Sequence, residues 1–485
     1  MATRERENDQ SERMSEHEAL MWNIEKDPWL NPSGGSVIIL DQAIDMEQFR
    51  RQMRNGIAKT PRLYQRAVPG FGRLSTPAWV PDLEFDLDAH LREVVLPAPG
   101  DDRQLLDLCA RLYSEPLDRT RPLWRFVIIN GLSAGRSALW AIIHHSVSDG
   151  IGQMRMAEMY QQTTRDEQAP PDIDLEAIVA DAAAQHDAKE SGGNLATGLI
   201  STISNSTSHA VRRQVGIGRR LLGEVAMWPA DPSRISDAAG AAVHAVRTIS
   251  AQLTPSSDDE HSGSPLWTER SRGRHLEWVR LNVDDLKRTG NALGATMNDV
   301  FLAGLAEATH RYHKRHGSTI ETTNSSFVLS TRTDGKAGGN AFTPVPVRLP
   351  AGKMKSKQRL AAVTATLAEA KEEAQRTGGL TGMSGIANLL PISVVTRTAR
   401  AAASRIDFAT SNLRGAPFEL YVSGAKVLAT IAMGPVAGTG ANITAMSYDG
   451  AFDIGIFCDP AAITDPGGFR NDIIESFADL FALAP

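Results

Sequence analysis

Two patterns of apolar residues alternate along this chain, one typical of buried strands and one typical of amphipathic helices. Short apolar runs bounded by glycine or polar residues predict strands. These runs span 37–40, 123–129, 137–143, 275–283, 327–330, 345–349, 442–448 and 451–458. Apolar residues three and four positions apart predict helices at 46–59, 105–113, 152–160, 283–293, 297–313, 358–376 and 473–482. Because strands and helices intermingle over the whole length, the predicted fold class is α/β.

Composition divides the chain into four parts. Residues 1–13 are highly charged and lack an apolar run, which is typical of a disordered tail. The structured patterns fill 14–180 and return at 271–485, so we predict one lobe in each of these segments. The intervening stretch, 181–270, is rich in alanine, serine, aspartate and proline, which predicts a partly helical connector.

Charge, cysteine content and hydropathy exclude several classes of protein. The 51 basic and 57 acidic residues give a net charge of −6, the opposite of the balance typical of nucleic-acid-binding proteins. Cys109 and Cys458 are the two cysteines, so we expect small buried apolar residues and no disulfide scaffold or zinc ribbon. The N-terminus lacks the apolar run of a signal peptide, which predicts a cytoplasmic location. The stretch 422–446 contains Lys426 and Pro435 and predicts strand, loop and strand in place of a membrane helix.

One short motif carries the strongest chemical signal in the chain. It runs His144-His145-Ser146-Val147-Ser148-Asp149-Gly150, directly after an apolar strand and directly before a helix. Reactive side chains are often presented at the ends of strands, where a rigid scaffold holds them. Histidine can accept a proton from an alcohol near neutral pH, because its ordinary pKa is about 6.5. The alternative is a pair of structural histidines beside a capping Asp-Gly turn.

Three other histidines recur every three residues, at His310, His313 and His316. A helix advances by about 100° per residue, so the first and third of these side chains do not share a face. We therefore predict no metal site here, and we expect solvated histidines near the C-terminal end of a helix.

A basic segment stands out within the connector. Residues 209–223 carry four arginines and no acidic residue: Arg212, Arg213, Arg219 and Arg220. Basic amphipathic helices can lie on anionic membranes, whereas a solvated connector helix would have the same composition. The sequence leaves both interpretations open.

The motif and several other segments resemble a known family. The pattern HHxxxDG is shared by the superfamily of CoA-dependent acyltransferases, and the rest of the chain resembles the bacterial wax ester synthase/diacylglycerol acyltransferase family. The resemblance covers about residues 14–485 and departs from the family at Arg414, where proline is usual, and at Leu329-Ser330-Thr331-Arg332. The segments that carry it are Pro61-Arg62-Leu63-Tyr64-Gln65-Arg66, Trp79-Val80, Phe85 to His90, Leu96 to Gly100, Pro116 to Arg119, Arg121-Pro122-Leu123-Trp124, Leu293 to Val300, Gly440 to Thr444 and Ser447 to Gly450.

The resemblance implies an architecture and a set of site residues. It implies two lobes similar to chloramphenicol acetyltransferase, which form a pseudo-dimer with the active site in the channel between them. His145 would be the catalytic base, and Asn298 would position the substrate or donate to the oxyanion. On local sequence alone, Asn298 could equally cap the following helix together with Asp299. The supporting residues would be His144, Asp149, Gly150 and Arg62, with Arg66 as the other candidate partner of Asp149. Gly150 would keep the space beside the histidine free of a side chain. The candidate substrate-binding residues would be Asp299, Ser411, Asn412 and Trp124.

The implied reaction is acyl transfer from acyl-CoA to a lipid alcohol, with no metal and no cofactor besides the co-substrate. The first choice of reaction is diacylglycerol to triacylglycerol, and the second is a long-chain fatty alcohol to a wax ester. The alternatives are another HHxxxDG acyltransferase of condensation type and a catalytically silent protein that binds lipid or coats droplets. Peripheral contact with the inner membrane or with lipid droplets is a further expectation, whereas nucleic acid is not an expected partner.

Overall fold

The structure, a computed structural model, describes residues 13–70, 75–190, 263–330, 342–377, 388 and 391–484. The predicted tail, apart from its last residue, and most of the predicted connector lie outside the described residues, as do the four arginines of the basic segment and Arg332. Within the described residues, strands and helices intermingle as expected, which confirms the α/β class.

A seven-stranded sheet forms the N-terminal lobe. Its strands follow the spatial order β4-β5-β6-β1-β13-β12-β7. Strands β1, β5 and β6 are almost wholly buried, because their apolar runs are covered on both faces. The bounds are β1 Ser33–Leu40, β4 Leu91–Val95, β5 Trp124–Asn130, β6 Ser137–His144, β7 Gln161–Gln162, β12 Tyr421–Val422 and β13 Ala425–Met433. A separate hairpin pairs β2 Gln65–Val68 with β3 Ala78–Pro81.

A six-stranded sheet forms the C-terminal lobe, in the order β10-β9-β11-β14-β15-β8. Strands β14 and β15 form the predicted antiparallel hairpin around Asp449-Gly450, where both residues have positive φ. The bounds are β8 His275–Asn282, β9 Thr322–Ser330, β10 Phe342–Pro350, β11 Phe408–Arg414, β14 Ala441–Tyr448 and β15 Ala451–Cys458.

Eleven α-helices lie among the described residues. Helices α2 and α7 begin and end at the predicted residues, and an asparagine or aspartate side chain caps the first turn of each. The bounds are α1 Glu16–Ile24, α2 Met46–Lys59, α3 Leu87–His90, α4 Asp102–Ser114, α5 Gly150–Ala157, α6 Leu175–Glu190, α7 Val283–Leu293, α8 Met297–Arg315, α9 Ser356–Thr377, α10 Ile392–Ala403 and α11 Pro466–Phe481.

One exchange of strands joins the two lobes. Strand β13 follows β11 in sequence, yet it pairs with β1 of the N-terminal sheet, with Gly35 opposite Met433 and Val37 opposite Ile431. Almost every residue of β13 is buried, as expected for a central strand. The predicted lobe 271–485 therefore supplies two strands, β12 and β13, to the other sheet, and the division of the chain at residue 270 does not coincide with the division between sheets.

The two cysteines and one of the helix histidines lie in the packed interior. Cys109 belongs to the apolar core of the N-terminal lobe and Cys458 to that of the C-terminal lobe, and both are free thiols. The prediction of small buried residues is thus confirmed. The expectation of solvated histidines is wrong for His313, which is buried, with its Nε2 2.6 Å from the hydroxyl of Ser264.

Candidate functional site

His144 ends strand β6 and is completely buried. Its Nδ1 accepts the backbone N–H of Ser146 at 3.0 Å, and the hydroxyl of Ser146 lies 2.7 Å from the same nitrogen. Because this nitrogen accepts a backbone N–H, the proton of the neutral ring lies on Nε2. That nitrogen is 3.4 Å from a carboxylate oxygen of Glu25. Both ring nitrogens therefore face protein groups, which supports the structural role predicted for His144.

Glu25 follows helix α1 and links His144 to Arg119. Arg119 donates to the Glu25 carboxylate at 2.8 Å and to the carbonyl of Trp22 at 2.9 Å, and its guanidinium lies 3.4 Å from the centre of the Trp22 ring. Burial alone would raise the pKa of Glu25, but the contact with His144 and the charge of Arg119, which donates to the carboxylate, lower it overall. The carboxylate therefore stays ionised and fixes the ring of His144.

Helix α1 begins at a capping box in which Ser15 and Glu18 exchange side-chain and backbone hydrogen bonds. This start places His17, which is buried, within electrostatic range of both Asp149 and His145. Burial lowers the pKa of His17, and the charge of Asp149 opposes that shift. The N-terminal helix therefore supplies one wall of the site.

His145 retains partial exposure and faces strand β1 at Gly34. A Cβ atom added to Gly34 would lie 2.9 Å from the Nε2 of His145, which is closer than real Cβ contacts allow. Only glycine at this position lets the ring of His145 come this close to strand β1. Gly34 therefore fixes the position of this nitrogen, which is the atom that would accept a substrate proton.

The surroundings of His145 favour the neutral ring. The pKa of His145 is lowered to about 4, chiefly by burial and also by the nearby His144 and His17, while the charge of Asp149 opposes the shift. A neutral imidazole is the form that can accept a proton, so the site holds its base ready at neutral pH.

This shift predicts the pH dependence of the reaction. A lowered pKa moves protonation of the base to more acid pH, so kcat/KM should stay level near neutrality and fall as the pH drops through about 4. The folded protein also loses stability between about pH 6.5 and 4, because the unfolded chain binds the proton first. A pH–rate profile, with enzyme returned from acid to pH 7 as the control for unfolding, measures this limb. An inflection near pH 6.5 would contradict the shift.

Asp149 caps helix α5, as its carboxylate accepts the backbone N–H of Gly152 at 2.7 Å. This contact agrees with the structural role predicted for Asp149. The role predicted for Gly150 needs correction, since a Cβ there would meet Leu413 at 3.4 Å and would not touch His145. Gly34, on another strand, is the glycine beside the histidine, where a side chain would clash.

Asp149 was predicted to pair with Arg62 or Arg66, and both arginines have other observed contacts. Arg62 donates to Gln65 at 3.0 Å, and its guanidinium lies 4.6 Å from the centre of the Trp79 ring. The alternative, Arg66, lies 4.0 Å from the carboxylate of Asp82. The pairing of Asp149 with either arginine stays a prediction.

Asn298 lies half-buried in the first turn of helix α8. Thr296 is the N-cap of this helix, so the interpretation of Asn298 as the cap is wrong. The capping box joins Thr296 to the buried Asp299, whose carboxylate accepts the Thr296 N–H at 2.8 Å. The structure thus gives Asp299 a capping role, and contacts of Asn298 and Asp299 with a substrate stay predictions.

The other three candidate substrate residues divide between the core and strand β11. Trp124 is fully buried, donates its indole N–H to the Leu63 carbonyl at 2.7 Å and stacks on His90, so its observed contacts are those of a core residue. Ser411 and Asn412 are half-buried on β11, opposite Thr444 and Ala445 of β14. Their contact with substrate stays a prediction.

A cavity of about 580 Å³ lies on the same face of the N-terminal sheet as the His145-facing side of Gly34. Gly34, Ser36 and Ile38 share this face because side chains alternate along a strand. The opposing lining comes from helix α5 and from the chain between β11 and β12, so both lobes contribute. Most lining residues are apolar, and the volume lies within the usual range for small-molecule sites.

The comparisons with known proteins agree with this geometry. The profile described as the wax ester synthase/diacylglycerol acyltransferase catalytic domain matches residues 14–301, which is more than half of the chain. The chain belongs to this family. The profile described as the WS/DGAT C-terminal domain matches residues 338–481. The protein is therefore a WS/DGAT-family acyltransferase, and the family implies acyl-CoA and an acceptor alcohol as substrates.

Two relatives from Mycobacterium tuberculosis cover almost the whole chain. A protein of strain H37Rv, provisionally named as a diacylglycerol O-acyltransferase, is 28% identical over 472 residues, which are 96% of this chain and 91% of that protein. A second relative, from strain CDC 1551 and also named as a diacylglycerol O-acyltransferase, is 26% identical and covers 93% of this chain and 91% of its own length.

Solved structures show the same fold. The wax ester synthase/diacylglycerol acyltransferase of Marinobacter aquaeolei VT8 superposes with a TM-score of 0.63 at 19% identity, covering 97% of this chain and 99% of that one. The first condensation domain of the calcium-dependent antibiotic synthetase gives 0.53 at 17% identity, with 97% and 96% covered. The WS/DGAT member described here therefore has two lobes like chloramphenicol acetyltransferase, as predicted.

The two departures from the family pattern lie in different places. Arg414 ends strand β11, is exposed and lines the cavity, so it adds a positive charge to a mainly apolar lining. Leu329 lies on strand β9 and packs against the apolar core of the C-terminal lobe. Of the two, only Arg414 is placed to affect what the cavity accepts.

Sequence reasoning missed three residues of the site: Gly34, Glu25 and His17. Gly34 had a signal, since a glycine pair at the start of an apolar strand often marks a close approach of another group. Glu25 and His17 also had a signal, because the pattern Ser15-x-x-Glu18 is typical of the start of the helix that carries them to the site.

Across the described ranges, no group of histidine, cysteine and acidic residues could hold a metal, and no helix is long and apolar enough to cross a membrane.

Proposed function

We propose that this protein transfers an acyl group from acyl-CoA to the hydroxyl of a lipid alcohol, with His145 as the general base. The observation that carries the proposal is the close approach of the Nε2 of His145 to Gly34, on the same sheet face as the apolar cavity. An alcohol needs a base that accepts its proton during attack, and a lipid needs an apolar space. The site combines both requirements.

In the proposed reaction, the hydroxyl oxygen attacks the thioester carbonyl carbon while its proton passes to Nε2 of His145. The tetrahedral oxyanion then collapses, the carbon–sulfur bond breaks, and the CoA sulfur takes the proton from the imidazolium. The products are one ester and one CoA thiol. His144, the residue before His145, is fixed by Ser146 and Glu25 and so holds the start of the loop in place. Asn298 remains the proposed donor to the oxyanion.

Diacylglycerol is the first proposed acceptor, and a long-chain fatty alcohol is the second. The names of the mycobacterial relatives, which refer to diacylglycerol, favour the first choice. The chemistry at His145 is the same for both acceptors, because each presents a hydroxyl on an apolar body. The width of the cavity, and Arg414 in its lining, would then decide between them.

We also propose a cytoplasmic location with peripheral contact to the inner membrane or to lipid droplets. An acceptor alcohol of this kind dissolves in lipid, so the enzyme must reach an interface to collect it. The arginines proposed for that contact, those of residues 209–223, lie outside the described residues, so this proposal rests on their sequence alone.

The proposed acceptor is tested by incubating the purified protein with palmitoyl-CoA and either dioleoylglycerol or hexadecanol. We expect ester from both alcohols and a higher kcat/KM for dioleoylglycerol, measured by mass spectrometry of the ester. A higher kcat/KM for hexadecanol would assign the protein to wax ester synthesis. Amide formation from an amine acceptor, without ester, would favour the condensation-type alternative, and the absence of any acyl transfer would favour a silent lipid-binding protein.

A further inference from the structure

A second cleft, which shares no lining residue with the apolar cavity, carries positive charge. It has a volume of about 590 Å³ and lies between Trp29, which precedes β1, and helix α10. Its charged lining residues are Arg270, Arg397, Arg400 and Asp27, so the arginines exceed the acids by two. Ser393 and Thr396 add hydroxyl groups to the same lining. Such a lining is suited to an anion with several oxygens.

The arginines of the cleft differ in what they already contact. Arg270 is committed to backbone carbonyls, including those of Gly438 at 3.1 Å and Ser404 at 2.8 Å, and so fixes the floor of the cleft. The guanidinium carbon of Arg400 lies over the ring of Trp29, 4.1 Å from its centre. Arg397 and Arg400 are exposed, and neither has an acidic partner within the described ranges of the chain. Their charges are thus available to a ligand.

Two chain segments connect this cleft to His145 and then to the apolar cavity. Along the first, Trp29 lines the cleft, Gly34 faces the Nε2 of His145, and Ser36 lines the cavity. Trp29 and Gly34 are five residues apart, so the distance along this path is at most about 18 Å. The cleft, the base and the cavity therefore follow one another in that order.

The second segment gives the same order in the opposite chain direction. Ala432 lines the cavity, the carbonyl of Met433 would lie 3.6 Å from a Cβ at Gly34, and Gly438 lines the cleft. Met433 and Gly438 are also five residues apart, which again limits the distance to about 18 Å. The two segments include the paired strands β1 and β13, and each leads from the apolar cavity past Gly34 to the basic cleft.

We propose that this cleft binds the phosphate groups at the nucleotide end of acyl-CoA, an inference that rests on the proposed function. Acyl-CoA has an anionic end, a long flexible pantetheine arm, a thioester and an apolar chain, in that order. The protein presents a basic cleft, a short path, a base and an apolar cavity in the same order. Arg397 and Arg400 would contact phosphate oxygens, and Arg270 would hold the cleft in shape.

The test compares Arg397→Gln/Arg400→Gln with Arg376→Gln/Arg405→Gln, a pair of exposed arginines that do not line the cleft. Both double variants remove two positive charges. With palmitoyl-CoA, we expect the first variant to raise KM about 100-fold, about ten-fold per lost contact, and to change kcat by no more than about two-fold. With palmitoyl-pantetheine, which lacks the nucleotide phosphates, we expect no change. The control variant should behave like the wild type with both donors.

Calorimetric titration with 3′,5′-ADP separates this inference from the proposed function. We expect the cleft variant to weaken 3′,5′-ADP binding by a factor similar to its rise in KM. If the protein formed no ester but the cleft variant still weakened 3′,5′-ADP binding, the result would support the cleft and contradict the proposed function. An unchanged KM for palmitoyl-CoA, or equal losses with both donors, would overturn the inference. So would unchanged 3′,5′-ADP binding combined with lost binding to phosphatidylglycerol vesicles, because the cleft would then recognise a membrane.

Discussion

Replacement of His145 by alanine is expected to lower kcat for ester formation by about 10²- to 10⁴-fold, the usual contribution of a positioned acid–base residue. The Nε2 of His145 lies against Gly34, on the sheet face of the apolar cavity, and the lowered pKa keeps the ring neutral, so removal of the ring removes the proton acceptor. KM for the acyl donor should change little, because the donor's apolar and charged ends are proposed to bind elsewhere.

The matched control is His310→Ala, a partly exposed histidine on helix α8. This variant should retain the wild-type kcat, and circular dichroism should show both variants folded. The mechanism would be excluded if His145→Ala retained more than about a tenth of the wild-type kcat while folded. Loss of a general base should lower kcat by at least about 100-fold.

The second large effect is expected for Gly34→Ala. Its new Cβ would lie 2.9 Å from the Nε2 of His145, so the imidazole must move and the proton acceptor is displaced. A misplacement of about 1 Å can cost about 100-fold in rate, and we expect a loss of kcat of that order. Steady-state kinetics with palmitoyl-CoA and dioleoylglycerol measure the loss.

Gly467→Ala serves as the control, because a Cβ there would meet no atom within 4 Å. It should leave kcat at the wild-type level. Chemical denaturation should show that Gly34→Ala retains most of its stability, since the nearest atom is the far end of a side chain that can rotate. Wild-type kcat in Gly34→Ala would show that the reaction does not depend on the position of Nε2 beside Gly34.

Local patterns predicted much of the fold. Helices α2 and α7 were predicted to the residue, because each begins at an Asp or Asn cap and has a clear apolar face. Strand β11 was missed, since its sequence, FATSNLR, has no continuous apolar run, and its place is set by parallel pairing with β9 and β14. The exchange of β13 between sheets was also missed, because sequence does not show which distant strand a buried strand joins.

The site residues that lie within the HHxxxDG motif were predicted, whereas those that come from distant parts of the chain were missed. The adjacent residues His144, His145 and Asp149 follow one strand and begin one helix, so their neighbourhood follows from local structure. Gly34 and Glu25 are distant in sequence and reach the motif only through sheet pairing and helix packing. The predicted purpose of Gly150 was therefore assigned to the wrong glycine, because spacing along the chain does not reveal close approach between strands.

The central claim is that His145 drives direct transfer of an acyl group to a lipid alcohol, and the most direct test is the ratio of two products. Wild-type protein is incubated with radiolabelled palmitoyl-CoA and dioleoylglycerol, and both the CoA thiol and the labelled triacylglycerol are counted over time. Direct transfer predicts one thiol released for each ester formed, with both products lost together in His145→Ala. Thiol release without ester, or ester formation that persists without His145, would contradict it.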